Sequence, residues 1–517
     1  MLFASSPRWV VHPFLIVAAY VLNVALPNEV APAGYIRALV VGLVLTTAMT
    51  LVGWATLRTR WDGALLASGI IIGIASPVPL AWLWFELRAA FGVAIGTLLL
   101  VGAVMAVLGG IGIRILQLRR RRLPVPRPAP ESLNVLSIAL VAVVVASNIG
   151  HLIPRSSTPV PPPAGWHSPV EDPADIVVIL LDGYPRSDVL ERRLGAQNAA
   201  FLDGLRQRGF DVATTNHSNY PVTELTLPSM LQMRYVDQVP SLIPLLGNGR
   251  EESAALRDAA EAGQALSILH SAGYELIFSL PGWEHMALRT AGDRLLDSGE
   301  ITDFERSLFH RTWILYLLDA AWPNVFADAQ RDRVVHSLDA IDAFAAVQAD
   351  GPRFLLLHVP APHLPLVVQA DGTPASLLAS RFGKGDSAGF GMTASEYSAA
   401  WQSEVDYLDD RVLRGIDMLM ASEAGQRSVI VVMSDHGYSF EERADDPQAQ
   451  LGNLFAARTL DAPGLFANPP TPVNLFRVLF NGYLGTDFPP LPNRFFVRGE
   501  GAALSFPEVY DPDRHPP

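Results

Sequence analysis

The chain has no cysteine. That absence excludes disulfides, thiolate catalysis and cysteine-ligated zinc together. Lysine is nearly absent as well: Lys384 stands alone against 37 arginines, a compositional bias without functional weight. Acidic residues are scarce in the first part of the chain. Residues 1–150 hold four acids and eleven arginines, net +7, while the whole chain carries −13, so residues 151–517 carry −20. A basic, apolar half joined to an acidic half points to two compartments rather than to a nucleic-acid partner. No internal repeat is apparent.

What is abundant is apolar sequence: half of the 517 residues are hydrophobic, and the mean hydropathy is +0.25. Five long apolar stretches lie within residues 1–153, at Trp9–Leu26, Ala38–Leu57, Ala64–Phe85, Phe91–Ile115 and Val135–Ile153. Each approaches the roughly 20 residues a helix needs to cross a bilayer, and Pro77 and Pro79 predict a kink in the third. Arg8, Arg58, Arg60 and the run Arg119–Arg122 all fall on one side if the N-terminus is cytoplasmic. Five spans from that start deliver everything after Ile153 to the outside. Pro154–Asp175, "PRSSTPVPPPAGWHSPVEDPAD", reads as a stiff, extended linker. The expected division is therefore a transmembrane domain at 1–153, a linker at 154–175 and an extracytoplasmic catalytic domain at 176–517.

In that last part, strands alternate with helices. "IVVILL" (Ile176–Leu181), "YELIFSL" (Tyr274–Leu280), "RFLLLHV" (Arg353–Val359) and Ser428–Met433 read as buried strands. Helical patterns lie around Ser253–Ser271 and Ala394–Ser422, and Thr471–Gly485 reads as a proline-started helix. The alternation predicts an α/β domain with a mostly parallel central sheet, whose functional groups gather beyond the carboxyl ends of the strands. Those ends carry Asp182-Gly183, His358 with His363, and Asp435-His436-Gly437. Carboxylates and imidazoles converging on one edge form a ligand set for a divalent metal, Zn or Mn.

A nucleophile is sought in "SNYPVTELTLPSMLQM", Ser218–Met233. An apolar helical pattern starts around Thr226–Pro228, which places Thr223 and Thr226 near a helix N-terminus. Free N–H groups and the helix dipole stabilise an anion there. A threonine hydroxyl needs such a field, and a metal, to attack.

Together these parts resemble the alkaline phosphatase/sulfatase superfamily. With five N-terminal spans and an exported domain, the chain is most similar to lipoteichoic acid synthases and lipid A phosphoethanolamine transferases. The resemblance rests on Asp182, Thr223–Pro228, His358–His363 and "SDHG" (Ser434–Gly437). It implies that Asp182, Thr223, Asp435 and His436 hold the metal. In the transferases the nucleophilic Thr stands five residues before a proline, as Thr223 stands before Pro228. They also carry two His separated by four residues, as His358 and His363 are here, which hold the substrate head group or a second metal. Thr226 is the rival nucleophile. "TLPSM" has the Pro and Ser of the sulfatase pattern but begins with Thr, and Met230 replaces its Arg; Gly183 stands where sulfatases carry a second Asp.

The function implied is metal-dependent transfer of a phospho-head group from a membrane lipid to an envelope polymer or glycolipid acceptor, through a covalent phospho-threonine, with His358 or His363 moving protons. The alternatives are a hydrolase of the same fold acting on phosphodiesters or sulfate esters, and a non-catalytic membrane scaffold. The expected location is a bacterial-type cell membrane, with the catalytic domain facing out.

Overall fold

The computed structural model describes residues 9–91, 130–149 and 159–497 apart from short gaps at 29, 31, 58, 164–165, 167, 169, 246–249, 348, 383–390 and 440–445, together with Val93, Glu508 and Val509. The fourth expected span, nearly all of Phe91–Ile115, and Arg119–Arg122 lie outside the described residues, as do Arg8, Arg58 and most of the loop after Ile149. The chain forms two compact units. One comprises Met1–Pro154 with Phe304–Ala321, the other Arg155–Asp303 with Trp322–Pro517.

The first unit contains helices α1 (His12–Ala25), α2 (Pro32–Leu57), α3 (Arg60–Ile74), α4 (Pro77–Phe91) and α5 (Pro130–Ser147). Two later helices, α6 (Asp303–His310) and α7 (Ile314–Ala321), supply its remaining segment. Among the described residues one helix, α2, is long and apolar enough to cross a membrane; His12–Asn28 and Ser132–Ser147 are shorter apolar helices. The third apolar stretch breaks at Ala75–Ser76, directly before Pro77, because a proline disfavours α geometry in the residue preceding it. Helices α2 and α3 meet at Gly53 and Gly63, so closely that a Cβ on Gly63 would lie 2.5 Å from the Trp54 nitrogen.

The second unit is built on a sheet. Its strands are β1 (Asp175–Leu181), β2 (Asp211–Val212), β3 (Glu275–Ser279), β4 (Arg294–Leu296), β5 (Arg353–Val359), β6 (Ser428–Met433) and β7 (Phe455–Arg458), in the order β2-β7-β6-β1-β5-β3-β4. The five strands from β6 to β4 run parallel, while β7 pairs antiparallel with both β6 and β2. β1, β5 and β6 are buried along their whole length, which is why they read as continuous apolar runs rather than alternating ones. The four predicted strands all form, with ends shifted by at most a residue. The helical segment around Ser253–Ser271 is two helices, Arg250–Glu261 and Gln264–Ser271, interrupted at Gly263. There a Cβ would sit 2.8 Å from the Leu231 carbonyl oxygen.

Register fixes what the strand ends deliver. Leu180 of β1 pairs with His358 of β5 on one side and with Met433 of β6 on the other. Asp182, His358 and Asp435 therefore emerge at one edge. At the opposite end, the buried Arg353 and Asp175 tie β5 to β1. The Arg353 amide donates to Asp175 Oδ1 (2.8 Å) and its guanidinium to Oδ2 (2.9 Å).

Candidate metal centre and nucleophile

The turn leaving β1 is made by Gly183, whose φ of +67° is a conformation glycine adopts without strain. It lets the Gly183 N–H donate to Asp435 Oδ1 (3.0 Å) and the Tyr184 N–H donate to Ser434 Oγ (2.8 Å). The backbone after β1 thus grips the side chains after β6. Gly437 has a different constraint: a Cβ there would meet the Ala449 carbonyl oxygen at 2.3 Å and that of Gly452 at 2.6 Å. These contacts account for Ser434 and Gly437, and between them stand the candidate ligands Asp435 and His436.

Asp182, Asp435 and His436 are buried, and one ligand atom from each lies within 4.8 Å of the others. His436 Nδ1 is 2.7 Å from the Gly437 carbonyl oxygen, which can only accept, so Nδ1 carries the proton. Nε2 then presents its lone pair inward, 3.7 Å from Asp182 Oδ1 and 3.4 Å from Asp435 Oδ2. Asp435 Oδ2 is buried and accepts no hydrogen bond among the described residues. An inward imidazole lone pair beside an orphaned carboxylate oxygen fits a divalent cation, because a buried carboxylate without compensation is costly. The donor set, two carboxylates and one imidazole, suits zinc or manganese.

Thr223 opens the helix Thr223–Gln232, with its Oγ1 at 3.4 and 3.5 Å from the two Asp182 oxygens. The helix starts earlier than the apolar pattern around Thr226–Pro228 indicates, because Pro228 is accommodated inside it. This shift puts Thr223 itself at the positive end of the helix dipole. Thr226 is also buried, but its hydroxyl donates to the Tyr220 carbonyl (3.4 Å) and lies 3.4 Å from Ser218 Oγ.

His358 Nε2 lies 2.8 Å from Asp182 Oδ2, and His363 Nδ1 donates to the Leu364 carbonyl (2.8 Å). Burial pushes the Asp182 carboxyl up, but the imidazoles of His363, His358 and His436 outweigh it and hold it down at about 2. Burial lowers the pKa of His363 as well, against the attraction of Asp182. A carboxylate and a neutral imidazole therefore coexist at neutral pH.

Two groups beside the site escaped sequence reasoning. The Trp283 ring stands edge-on to His363, centroids 4.8 Å apart, and 6.3 Å from His358. His285 Nε2 lies 3.2 Å from Oε1 of Glu224, the residue after Thr223. Both come from "PGWEHM" (Pro281–Met286), just beyond the carboxyl end of β3. Like Asp182, His358 and Asp435, they lie just past the end of a strand of the parallel sheet.

The loop after His363 is held by Glu404, whose Oε2 accepts from the Val367 (2.6 Å) and Val368 (3.1 Å) amides. Burial raises its pKa to about 8, although both amides pull it down. Between its ordinary value near 4.5 and about 8, the folded state holds a proton that the unfolded state has released. Glu404 thus subtracts stability as pH rises through that window. Glu404→Gln, which keeps the accepting oxygen without the titration, should gain stability over the parent progressively from about pH 5 to pH 8. Urea unfolding of both proteins across that range measures it; parallel pH profiles would count against a protonated Glu404.

The "Sulfatase" family model matches residues 174–463, more than half of the chain, so this protein belongs to the sulfatase family, within the alkaline phosphatase superfamily. Solved structures similar to it include the C-terminal periplasmic domain of EptC from Escherichia coli in complex with Zn, at 12% identity over 69% of this chain and 98% of that one, TM-score 0.45. The integral membrane protein lipooligosaccharide phosphoethanolamine transferase A (EptA) from Neisseria meningitidis matches at 15% identity over 82% of this chain and 73% of that one, TM-score 0.36. A 2-O GAG sulfatase matches at 12% identity over 62% and 72%, TM-score 0.40. No curated protein matches the chain.

Proposed function

We propose that this protein is a membrane-integral enzyme that transfers a phospho-head group from a membrane lipid to an envelope polymer or glycolipid. It works in two steps with Thr223 as nucleophile. The observation that carries the reading is the approach of Thr223 Oγ1, at a helix N-terminus, to the Asp182 carboxylate of the candidate metal centre. Asp182, Asp435 and His436, joined by Thr223, are the residues that would hold a divalent cation, zinc or manganese. Bound there, such an ion lowers the pKa of a hydroxyl and neutralises phosphate charge.

In the first step Thr223 Oγ1 gives its proton to His363 and attacks phosphorus, and the bond to the lipid alcohol breaks. The imidazolium so formed passes that proton to the departing alkoxide; His363, beside Trp283, is the assigned relay, and His358 holds Asp182 in place. In the second step His363 accepts the proton of an acceptor hydroxyl, which attacks phosphorus, and passes it to the Thr223 oxygen as the bond from that oxygen to phosphorus breaks. An imidazole that gains and loses one proton in each step serves both directions. The N–H groups at the start of the Thr223 helix face the phosphoryl oxygens as charge grows on them.

The α/β domain from 176 onward is the catalytic part, the linker 154–175 precedes it, and five spans within 1–153 anchor it with the N-terminus in the cytoplasm. In that topology the catalytic part lies on the outer side of the membrane, the side on which the donor lipid is proposed to be met. In proteoliposomes with a head-group-labelled phospholipid and a glycolipid acceptor, label should pass to the acceptor. Acid quenching should trap it on a peptide containing Thr223. Release of label to water alone would favour the hydrolase reading; sulfate-ester turnover without phosphodiester turnover would overturn the proposal.

A further inference from the structure

The α6–α7 segment comes from the part of the chain expected to form the exported domain, yet it belongs to the first compact unit. Its inner side is packed and hydrogen-bonded there. Phe304 and Leu308 share an apolar cluster with Val17, Val21 and Ile71. The Tyr20 hydroxyl donates to the Leu308 carbonyl (2.7 Å), and Arg37 Nε donates to Glu305 Oε1 (2.6 Å). The Trp313 amide donates to the Ile74 carbonyl (3.1 Å) and its indole N–H to Ser76 Oγ (2.9 Å).

The outer side exposes large apolar side chains among the described residues. Leu315 is turned in, whereas Trp313 is 46%, Tyr316 60% and Leu317 67% exposed. The Trp313 and Tyr316 rings lie 5.8 Å apart. On α2 the same exposure appears at Val41, Val44, Leu45 and Val52, along the helix apolar enough to span a bilayer.

Helix rise gives the depth. At about 1.5 Å per residue, Arg37 lies about 30 Å along α2 from Leu57, and Ile74 about 21 Å along α3 from Arg60. Leu57 and Arg60 flank the cytoplasmic turn in the proposed orientation. A hydrocarbon core about 30 Å thick then ends near the level where α6–α7 is held. Trp and Tyr favour that level, since each offers an apolar ring and a polar N–H or O–H.

We infer that α6–α7 lies in the outer head-group layer of the membrane, with Trp313, Tyr316 and Leu317 in contact with lipid. The inference rests on the membrane reading proposed above. The segment is a second membrane attachment, formed by a loop of the catalytic part of the chain and independent of the linker at 154–175. A surface of this composition takes phospholipid rather than a soluble partner, because Trp313, Tyr316 and Leu317 are exposed on the same unit whose α2 exposes Val41, Val44, Leu45 and Val52, with Asp319 the one charged side chain on α7.

The absence of cysteine makes the test direct. Full-length Leu317→Cys, Leu45→Cys and Asp203→Cys would each be labelled with bimane and reconstituted in phosphatidylethanolamine/phosphatidylglycerol vesicles. Quenching is compared among nitroxide lipids labelled near the glycerol backbone or mid-chain, and aqueous iodide. At 317 the glycerol-level nitroxide should remove most of the fluorescence and iodide little; at 45 the mid-chain nitroxide should dominate; at 203, on an exposed surface of the other unit, iodide alone should act. Iodide quenching at 317 equal to that at 203, with 45 still lipid-quenched, overturns the inference and leaves the membrane reading standing. Iodide quenching at 45 as well overturns the membrane reading, and the inference with it.

Discussion

Thr223→Ala is expected to lower turnover by at least about 10³-fold while the domain stays folded. Losing the nucleophile of a covalent mechanism removes the first step, and effects on the order of 10⁴–10⁶ accompany such losses in enzymes whose residues act as a unit. The substitution removes few atoms and leaves Asp182 its contact with His358, so stability should change by no more than about 1 kcal/mol. Thr226→Ala is the companion variant. Its hydroxyl meets Tyr220 and Ser218 rather than the carboxylate cluster, so it should cost about 1 kcal/mol of stability and leave kcat within about tenfold of the parent. Stopped assays of phosphodiester turnover with urea unfolding of the same preparations separate the two positions. A large loss confined to Thr226→Ala would reverse the assignment.

Asp435→Ala should abolish stoichiometric metal binding. Its Oδ1 accepts the Gly183 amide and its Oδ2 is the orphaned oxygen within the cluster. Losing a residue that merely orients a ligand already costs about 10–100-fold in metal affinity, so removing a ligand should cost more than about 100-fold. Elemental analysis after dialysis against a weak chelator reads this without any assay of activity. The parent should retain one divalent ion or more, and the variant none. Because a ligand that binds only the folded state stabilises it, chelation should also lower the Tm of the parent and leave that of Asp435→Ala unmoved. An unchanged metal content in the variant would remove Asp435 from the ligand set.

Metal content and turnover can part company in Thr223→Ala. Metal retention with loss of turnover would separate the nucleophile from the centre that activates it. Loss of both together would mean that Thr223 contributes mainly as a ligand.

The linear order of residues by itself determined the buried strands and the residues at their carboxyl ends. "IVVILL", "RFLLLHV" and "SVIVVM" are apolar without alternation, and only a sheet covered on both faces makes such runs favourable. Asp182, His358 with His363, and Asp435-His436 sit at those ends, so a candidate ligand set was legible in the order of residues alone. Tertiary structure decided the rest. The distance from Thr223 to Asp182, against the turn of Thr226 towards Ser218 and Tyr220, depends on where one helix begins, and Pro228 inside that helix obscured its start. Trp283 and His285 stand beside the site because β3 pairs next to β5, a pairing that carries no local signal. The placement of Phe304–Ala321 with the first unit was equally hidden. Its two short helices look like ordinary amphipathic segments, and only packing against residues as distant in the chain as Tyr20 and Arg37 separates them from the domain on either side. Local pattern records what a segment must bury; it does not record against what.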